Sequence, residues 1–156
     1  MADNRALIEG FYAAFAVGDH ATMGAAYSDD ATFSDPVFPR LDAAQTRAMW
    51  RMFCTSGNAI DVTYSDIDAG EQHGSAHWEA VYAFPKTGRR VHNKIDANFQ
   101  FRDGKIVSHQ DRFDLYAWAR QALGPTGVLL GWTPIVQNKV RSQAASQLRR
   151  FMMAER

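Results

Sequence analysis

A histidine and an aspartate stand two positions apart, at His109 and Asp111, in a run of alternating apolar and polar residues near the end of the chain. Residues at i and i+2 of a β-strand point to the same face of the sheet, so this pair shares a face with Val107 and Phe113. On a buried face a carboxylate is costly unless it is paired or hydrogen-bonded. The pair is interpreted either as an acid/base group poised by burial or as a structural pair at the end of the sheet.

Asp35 is a second carboxylate that could take part in the same chemistry. It stands in the sequence Ser34-Asp35-Pro36, where a short predicted strand ends against the sheet. An aspartate before a proline is often a turn or cap residue, so this structural role stays open beside the catalytic one. Two carboxyl groups in one pocket push each other's pKa values apart. The predicted catalytic residues are therefore Asp111 as the base, His109 as its orienter or the acid, and Asp35 as the second carboxylate.

No metal or cofactor is predicted. His77 and Glu79 have a spacing that could hold a metal ion, but no third ligand is signalled nearby. The sequence also lacks a phosphate-binding glycine loop, a nucleophile elbow and a dinucleotide fingerprint.

The elements that must position these residues follow from hydrophobic periodicity. Helices are predicted from residue 3 to the Gly18-Asp19 stop, then over residues 20–27, 42–55, 115–123 and 134–154, with a break over residues 124–127. Strands are predicted over residues 31–36, 60–67, 74–84, 90–101 and 105–113, and glycine-containing turns separate the last four. This order predicts an α+β fold of the barrel-like type, a cone-shaped curved antiparallel sheet wrapped around the N-terminal helices.

The cone encloses a predicted apolar pocket. Nine residues are expected to form its lining, with Tyr12 and Asn93 as the two polar partners: Tyr12, Phe15, Trp50, Phe53, Trp78, Tyr82, Asn93, Phe99 and Phe113. Residues 1–118 are predicted to form the cone and residues 119–156 a C-terminal helical extension packed on the same domain. The apolar side chains of residues 115–133 are too many to leave in water, so this segment is expected to pack as a lid or wall of the pocket.

Composition limits the partners. Lysine plus arginine equals aspartate plus glutamate, 17 residues each, which argues against nucleic acid or an anionic membrane and favours a small hydrophobic molecule. Cys54 is the only cysteine, so an intrachain disulfide is excluded. No stretch approaches the roughly 20 apolar residues that span a bilayer, and the start has no signal-peptide pattern. A cytoplasmic protein is expected.

Three stretches together resemble one superfamily: Gly18-Asp19, residues 28–36 with the sequence SDDATFSDP, and residues 103–107 with the sequence DGKIV. They are similar to the nuclear transport factor 2-like superfamily, which includes ketosteroid isomerases, SnoaL-like polyketide cyclases and limonene-epoxide hydrolases. The similarity covers about residues 5–118. It implies the cone fold, a small hydrophobic ligand and a homodimer formed through the outer sheet face.

The resemblance also implies roles for individual residues. Asp35 matches the general base of the ketosteroid isomerases, but Phe11 and Ala97 replace their two oxyanion donors, so steroid isomerisation is not expected. Asp111 matches the water-activating aspartate of the epoxide hydrolases.

The epoxide hydrolases also have an Arg-x-Asp pair on an earlier strand. In this sequence Trp78 and Ala80 stand at those two positions, or His77 and Glu79 if the alignment is shifted by one residue. The pair His109 and Asp111 is most similar to the histidine and aspartate pair of the SnoaL-like cyclases. The expected function is a cofactor-independent cyclase, isomerase, lyase or hydratase, with a ligand-binding module and a dimeric scaffold as alternatives.

Overall fold

The computed structural model describes residues 3–155, and within them six helices and five strands follow one another. The helices are α1 (Asn4–Ala16), α2 (His20–Ala25), α3 (Ala43–Thr55), α4 (Leu115–Leu123), α5 (Pro125–Leu130) and α6 (Pro134–Ala154). The strands are β1 (Tyr27–Ser34), β2 (Asp61–Ala69), β3 (His73–Ala83), β4 (Arg90–Arg102) and β5 (Lys105–Arg112). The α+β class is confirmed, and α5 is a helix where the sequence predicted only a break. Residues 1–2 and 156, with which the predicted segments 1–118 and 119–156 begin and end, lie outside the described residues.

Aspartate caps fix where several helices begin. The side chain of Asp3 accepts a hydrogen bond from the N–H of Ala6, and Asp42 forms a reciprocal capping box with Gln45. Asp114 caps α4 in the same way. Because these caps satisfy N–H groups that have no partner inside the helix, the predicted starts of α3 and α4 agree with the structure.

The sheet has the strand order β1-β5-β4-β3-β2. Three of its pairings are antiparallel, but β1 runs parallel to β5, with Phe33 opposite His109. The predicted antiparallel arrangement therefore holds for β2 to β5, and the edge strand β1 is the exception. A long connection separates β1 from β5, so no hairpin forces them to be antiparallel. The sheet is open, with β1 and β2 at its edges, and is not a closed barrel.

A β-bulge in β5 corrects the predicted face pattern. Gln100 pairs with Ser108, whereas the next residue, Phe101, pairs with Ile106, so Val107 is the extra residue. The bulge turns Ile106 into the buried core while Val107 is only partly buried. His109 and Asp111 lie after the bulge and keep the inward orientation that alternation predicted.

The core lies between the concave face of the sheet and helices α1 and α3. Strand β4 alternates without exception between exposed and buried residues from Arg90 to Arg102. Its buried side chains share one core with large rings from the helices, among them Phe11 and Trp50, both 1% exposed. Burying a side chain of that size contributes about 1.5–3 kcal/mol, so this layer holds the strands in place around the site.

Helix α5 is the exception to burial. Its residues Val128, Leu129 and Leu130 and the following Trp132 are 49–71% exposed, so the prediction that the apolar residues of this segment all pack is wrong. The reason lies on the other side of the helix. A Cβ added to Gly127 would collide with the backbone of α4, so α5 packs on α4 through its glycine face and turns its large side chains outward. None of the helices within residues 3–155 is long and apolar enough to cross a membrane.

Candidate functional site

A cavity of about 320 Å³ lies between the concave face of the sheet, helices α3, α4 and α6, and the turn between β3 and β4. Seven of the predicted lining residues lie on its wall: Phe15, Trp50, Phe53, Trp78, Tyr82, Asn93 and Phe113. The carboxyl groups of Asp35 and Asp111 lie on the same wall. The fold therefore brings the two predicted carboxylates to one largely apolar space.

Three predicted residues do not reach this wall, namely Tyr12, Phe99 and His109. They are at most 2% exposed and lie behind it, in the layer between the sheet and α1. The ring of Trp78 lies 5.9 Å from that of Tyr12, and the ring of Trp50 is stacked 6.3 Å from that of His109. Strand alternation predicts the face of a side chain but not its depth, and here tryptophan rings occupy the space in front.

Asp111 is the most deeply placed carboxylate of the cavity, with 3% of its surface exposed. Its Oδ1 accepts a hydrogen bond from Nε2 of His109 at 2.9 Å and one from Nε1 of Trp78 at 3.3 Å. Both bonds go to the same oxygen, so Oδ2 has no partner within residues 3–155. A carboxylate fixed through one oxygen presents the other to a ligand in a defined direction.

His109 belongs to a chain of hydrogen bonds that ends at Asp111. An ionised carboxylate only accepts, so Nε2 of His109 carries the hydrogen and its Nδ1 accepts from the hydroxyl of Tyr27, at 2.7 Å. The oxygen of Tyr27 in turn accepts from Nε1 of Trp50 at 3.0 Å. Apart from Oδ2 of Asp111, every side-chain donor and acceptor of this hydrogen-bond network has a partner, which fixes the orientations of the His109 ring and of the Asp111 carboxyl group.

Aromatic rings enclose His109 on all sides. Ring centroids lie 4.5 Å away for Phe99, 4.9 Å for Phe33 and 5.8 Å for Phe11. These rings exclude water and keep His109 out of contact with the cavity. Because His109 lies behind the wall, it has no direct contact with a ligand in the cavity, and its role as orienter of Asp111 stays a prediction.

Asp35 sits at the end of β1 in a turn. Its Oδ1 accepts hydrogen bonds from the backbone N–H groups of Val37 at 2.7 Å and Phe38 at 2.6 Å, so the predicted turn role is present. The pKa of the Asp35 carboxyl is raised to about 7, first by burial and also by the charge of Asp111, while the two N–H groups offset the rise only in part. Near neutral pH a fraction of Asp35 is therefore protonated.

The sequence analysis predicted a wall from residues 115–133, and Trp118 and Leu123 of α4 lie on the cavity wall. It missed the part of the wall that comes from α6, where Val140 and Ala144 line the cavity. The spacing of four residues between the last two is a helical face signal that was available in the sequence. What the sequence lacked was the direction in which α6 crosses the body, which Nε of Arg141 fixes by donating to the carbonyl of Pro36 at 2.8 Å.

The outer face of the sheet carries the other histidine group. His77 bonds to Asp96 at 2.9 Å and to Glu79 at 2.8 Å, and Glu79 also bonds to His92 at 2.6 Å. The structure thus places His77 and Glu79 on the outer face. Trp78 points inward between them, and no Arg-x-Asp pair faces the cavity. Within residues 3–155 no three histidine, cysteine or acidic side chains converge as a metal site would require.

Comparisons with known proteins agree with this architecture. The profile of the SnoaL-like domain family matches residues 8–109. An LEH-like epoxide hydrolase of M. tuberculosis is similar over 81% of this chain and 92% of its own, with 22% identity and a TM-score of 0.65. IdmH, a putative polyketide cyclase from Streptomyces antibioticus, is similar over 76% of this chain and 97% of its own, with 21% identity and a TM-score of 0.64. A putative polyketide cyclase from Xanthomonas campestris pv. campestris is similar over 76% of this chain and 98% of its own, with 23% identity and a TM-score of 0.61. A search of curated proteins found no match.

Proposed function

The chain belongs to the SnoaL-like domain family, and on that premise we propose that it is a cofactor-independent acid/base enzyme acting on a compact hydrophobic substrate. The observation that carries the proposal is Asp111, a buried carboxylate on the cavity wall with one oxygen held and the other free. A free carboxylate oxygen in an apolar cavity is the arrangement that a general base requires.

In the proposed reaction Oδ2 of Asp111 takes a proton from an acidic C–H group of the substrate. The electron pair of that bond moves toward a carbonyl oxygen, and protonated Asp35 gives its proton to that oxygen. Asp35 then takes the proton back from the enol oxygen, and Asp111 gives its proton to a carbon atom of the enol, so the product forms and both carboxyl groups return to their starting states. Burial and the charge of Asp111 together keep Asp35 protonated to higher pH than an ordinary aspartate, which divides the roles of base and acid between two like groups.

His109 is a positioning residue in this proposal. Through Tyr27 and Trp50 it holds Oδ1 of Asp111, so the base does not have to find its orientation during the reaction. Cyclases, isomerases, lyases and hydratases of this type share the same first proton transfer. The geometry supports that step, and the choice among these reactions depends on the substrate.

The enclosed apolar cavity by itself also fits a second candidate, a ligand-binding module in which the carboxyl groups only anchor a small hydrophobic molecule. The two functions differ in one measurable property. A binding module holds a ketone without exchanging its protons, whereas a general base exchanges them with solvent.

The test uses 2-tetralone, a bicyclic ketone, in D2O, with NMR recording the loss of its α-protons. The wild-type protein should accelerate the exchange above the rate with an equal concentration of acetate. Asp111→Asn should lower the protein's contribution by about 10²–10⁴-fold, the range typical of a lost acid/base group. The control Glu79→Gln removes a carboxylate from the outer face and should leave the rate within about twofold. Binding without accelerated exchange would favour the binding module.

We also propose that the protein forms a homodimer through the outer sheet face, where His77, Glu79, Lys94 and Asp96 lie. Lys94 stands opposite Glu79 and Asp96 opposite His77, so the face is a mixed charged surface and suits a symmetric contact. Sedimentation at tens of micromolar should give a dimer. A monomer at that concentration would mean that this face is solvated.

A further inference from the structure

Asn93 is a buried amide without a hydrogen-bond partner. It is 9% exposed, it lies on the cavity wall, and its side chain forms no hydrogen bond within residues 3–155. Buried polar groups are nearly always paired, because an unmade hydrogen bond costs about 1–3 kcal/mol. The amide of Asn93 is therefore available to a molecule in the cavity, and no step of the proposed proton transfer uses it.

Tyr82 offers a second free donor. Its oxygen accepts a hydrogen bond from Nε1 of Trp118 at 2.8 Å, while its own hydroxyl hydrogen has no acceptor within residues 3–155. A phenol has one hydrogen to donate, and here the protein uses only the acceptor side of the group. Because Tyr82 also lies on the cavity wall, its hydrogen is available to an acceptor atom of a ligand.

The sheet register brings these two groups together. Asn93 stands opposite Ala80, and Tyr82 stands opposite Val91, so Asn93 and Tyr82 are diagonal neighbours on the concave face. Diagonal neighbours on adjacent strands are about 7–8 Å apart at the backbone, a distance that both side chains can bridge to reach one oxygen. Two donors thus face the same part of the cavity.

This part of the cavity is remote from the base. Asp111 stands opposite Ala97, and Asn93 lies four positions before Ala97 on β4. At about 3.3 Å per residue the separation along the strand is about 13 Å. One end of the cavity therefore offers a proton acceptor, and the other offers hydrogen-bond donors.

We propose that Tyr82 and Asn93 form a second polar subsite, which holds an acceptor oxygen at the end of the substrate remote from the reacting carbon. The cavity of about 320 Å³ and the separation of about 13 Å along β4 fit a compact, largely apolar molecule with a carbonyl or ether oxygen at that end. The position of the reacting carbon rests on the proposed function, whereas the subsite itself does not.

The experiment compares two probes of nearly the same shape, 2-acetylnaphthalene and 2-ethylnaphthalene, by equilibrium dialysis. The carbonyl oxygen of the first only accepts hydrogen bonds, so it needs a donor, and the variants distinguish Tyr82 and Asn93 from protonated Asp35 as that donor. Wild-type protein should bind the ketone about tenfold more tightly than the hydrocarbon, as one or two neutral hydrogen bonds would give.

Tyr82→Phe, which removes only the hydroxyl, should reduce this preference to about threefold or less, and so should Asn93→Leu. The control Ser56→Ala removes a hydroxyl from another part of the wall and should keep the tenfold preference. Because each preference is a ratio of two ligands on one variant, a general loss of stability cancels. A wild-type protein without preference, a preference that survives in the double variant Tyr82→Phe/Asn93→Leu, or a preference lost in Ser56→Ala would each overturn the proposal.

Asp111→Asn separates this proposal from the proposed function. The variant should keep the tenfold preference for the ketone, because it leaves both donors in place. If it also keeps the proton exchange of 2-tetralone, the proposed function fails while the subsite stands.

Discussion

Two groups of histidine and carboxylate side chains lie on opposite faces of one sheet and have the same spacing in sequence. On the inner face His109 and Asp111 are at most 3% exposed, and aromatic rings surround the histidine. On the outer face His77 and Glu79 are likewise two residues apart and bonded to each other, but water reaches both. The i, i+2 spacing is therefore not what makes a site.

The two faces differ in how their surroundings affect the charged form of a titratable side chain. On the outer face the carboxylates raise the pKa of His77, Asp96 first and then Glu79, while burial acts only weakly against them. Inside the cavity burial is the largest cause of the raised pKa of Asp35. Neighbouring charges stabilise the charged form outside, whereas loss of solvent destabilises it inside, and only the second effect prepares a carboxyl group to hold or give a proton near neutral pH.

The largest difference between the two faces is expected in stability. His109→Gln should lower the free energy of unfolding by about 2–4 kcal/mol, because it breaks hydrogen bonds to a buried carboxylate and to Tyr27. The matched change His77→Gln should cost less than about 1 kcal/mol, as exposed ion pairs do. Urea unfolding at pH 7 measures both. Equal losses would mean that burial does not distinguish the two histidines.

A smaller effect is expected in the pH dependence on the inner face. The folded-state pKa of Asp35 is about 7, above the value of 3.8 for an ordinary aspartate, so between these values the folded chain holds a proton that the unfolded chain has lost. Stability should therefore fall as pH rises from about 4 to 7, by up to about 1.4 kcal/mol per pH unit, and level off above. Asp35→Asn should remove this slope from urea midpoints measured over the same range. An unchanged slope would assign the titration to other groups.

The smallest effect is expected on the outer face. Because Asp96 and Glu79 raise the pKa of His77, its contribution to stability is complete below the ordinary value of 6.5 and disappears as pH rises through the folded-state value. The change should stay below about 1 kcal/mol and shrink in 1 M NaCl, since salt screens exposed charges. His77→Gln should abolish it. A salt-independent effect would indicate that this face is covered, as a dimer contact would cover it.

The sequence by itself determined the elements and the inward side of the strands. Helical periodicity predicted the starts of α3 and α4, and alternation placed Trp78 and Asp111 on the concave face. These signals are local, because periodicity depends on residues within a few positions of one another. The family resemblance added that Asp35 lies in the same pocket as Asp111.

Only the tertiary structure determined how deeply each side chain lies, that β1 runs parallel to β5, and that α6 contributes to the cavity wall. His109 and Tyr12 share a face with cavity residues but lie behind tryptophan rings from other elements, and the bulge at Val107 exchanged two residues between faces. The free hydrogen of Tyr82 also depends on Trp118, a residue 36 positions away. Contacts between distant segments determine such features, and a pattern read along the chain carries no information about which distant side chain fills the space in front of another.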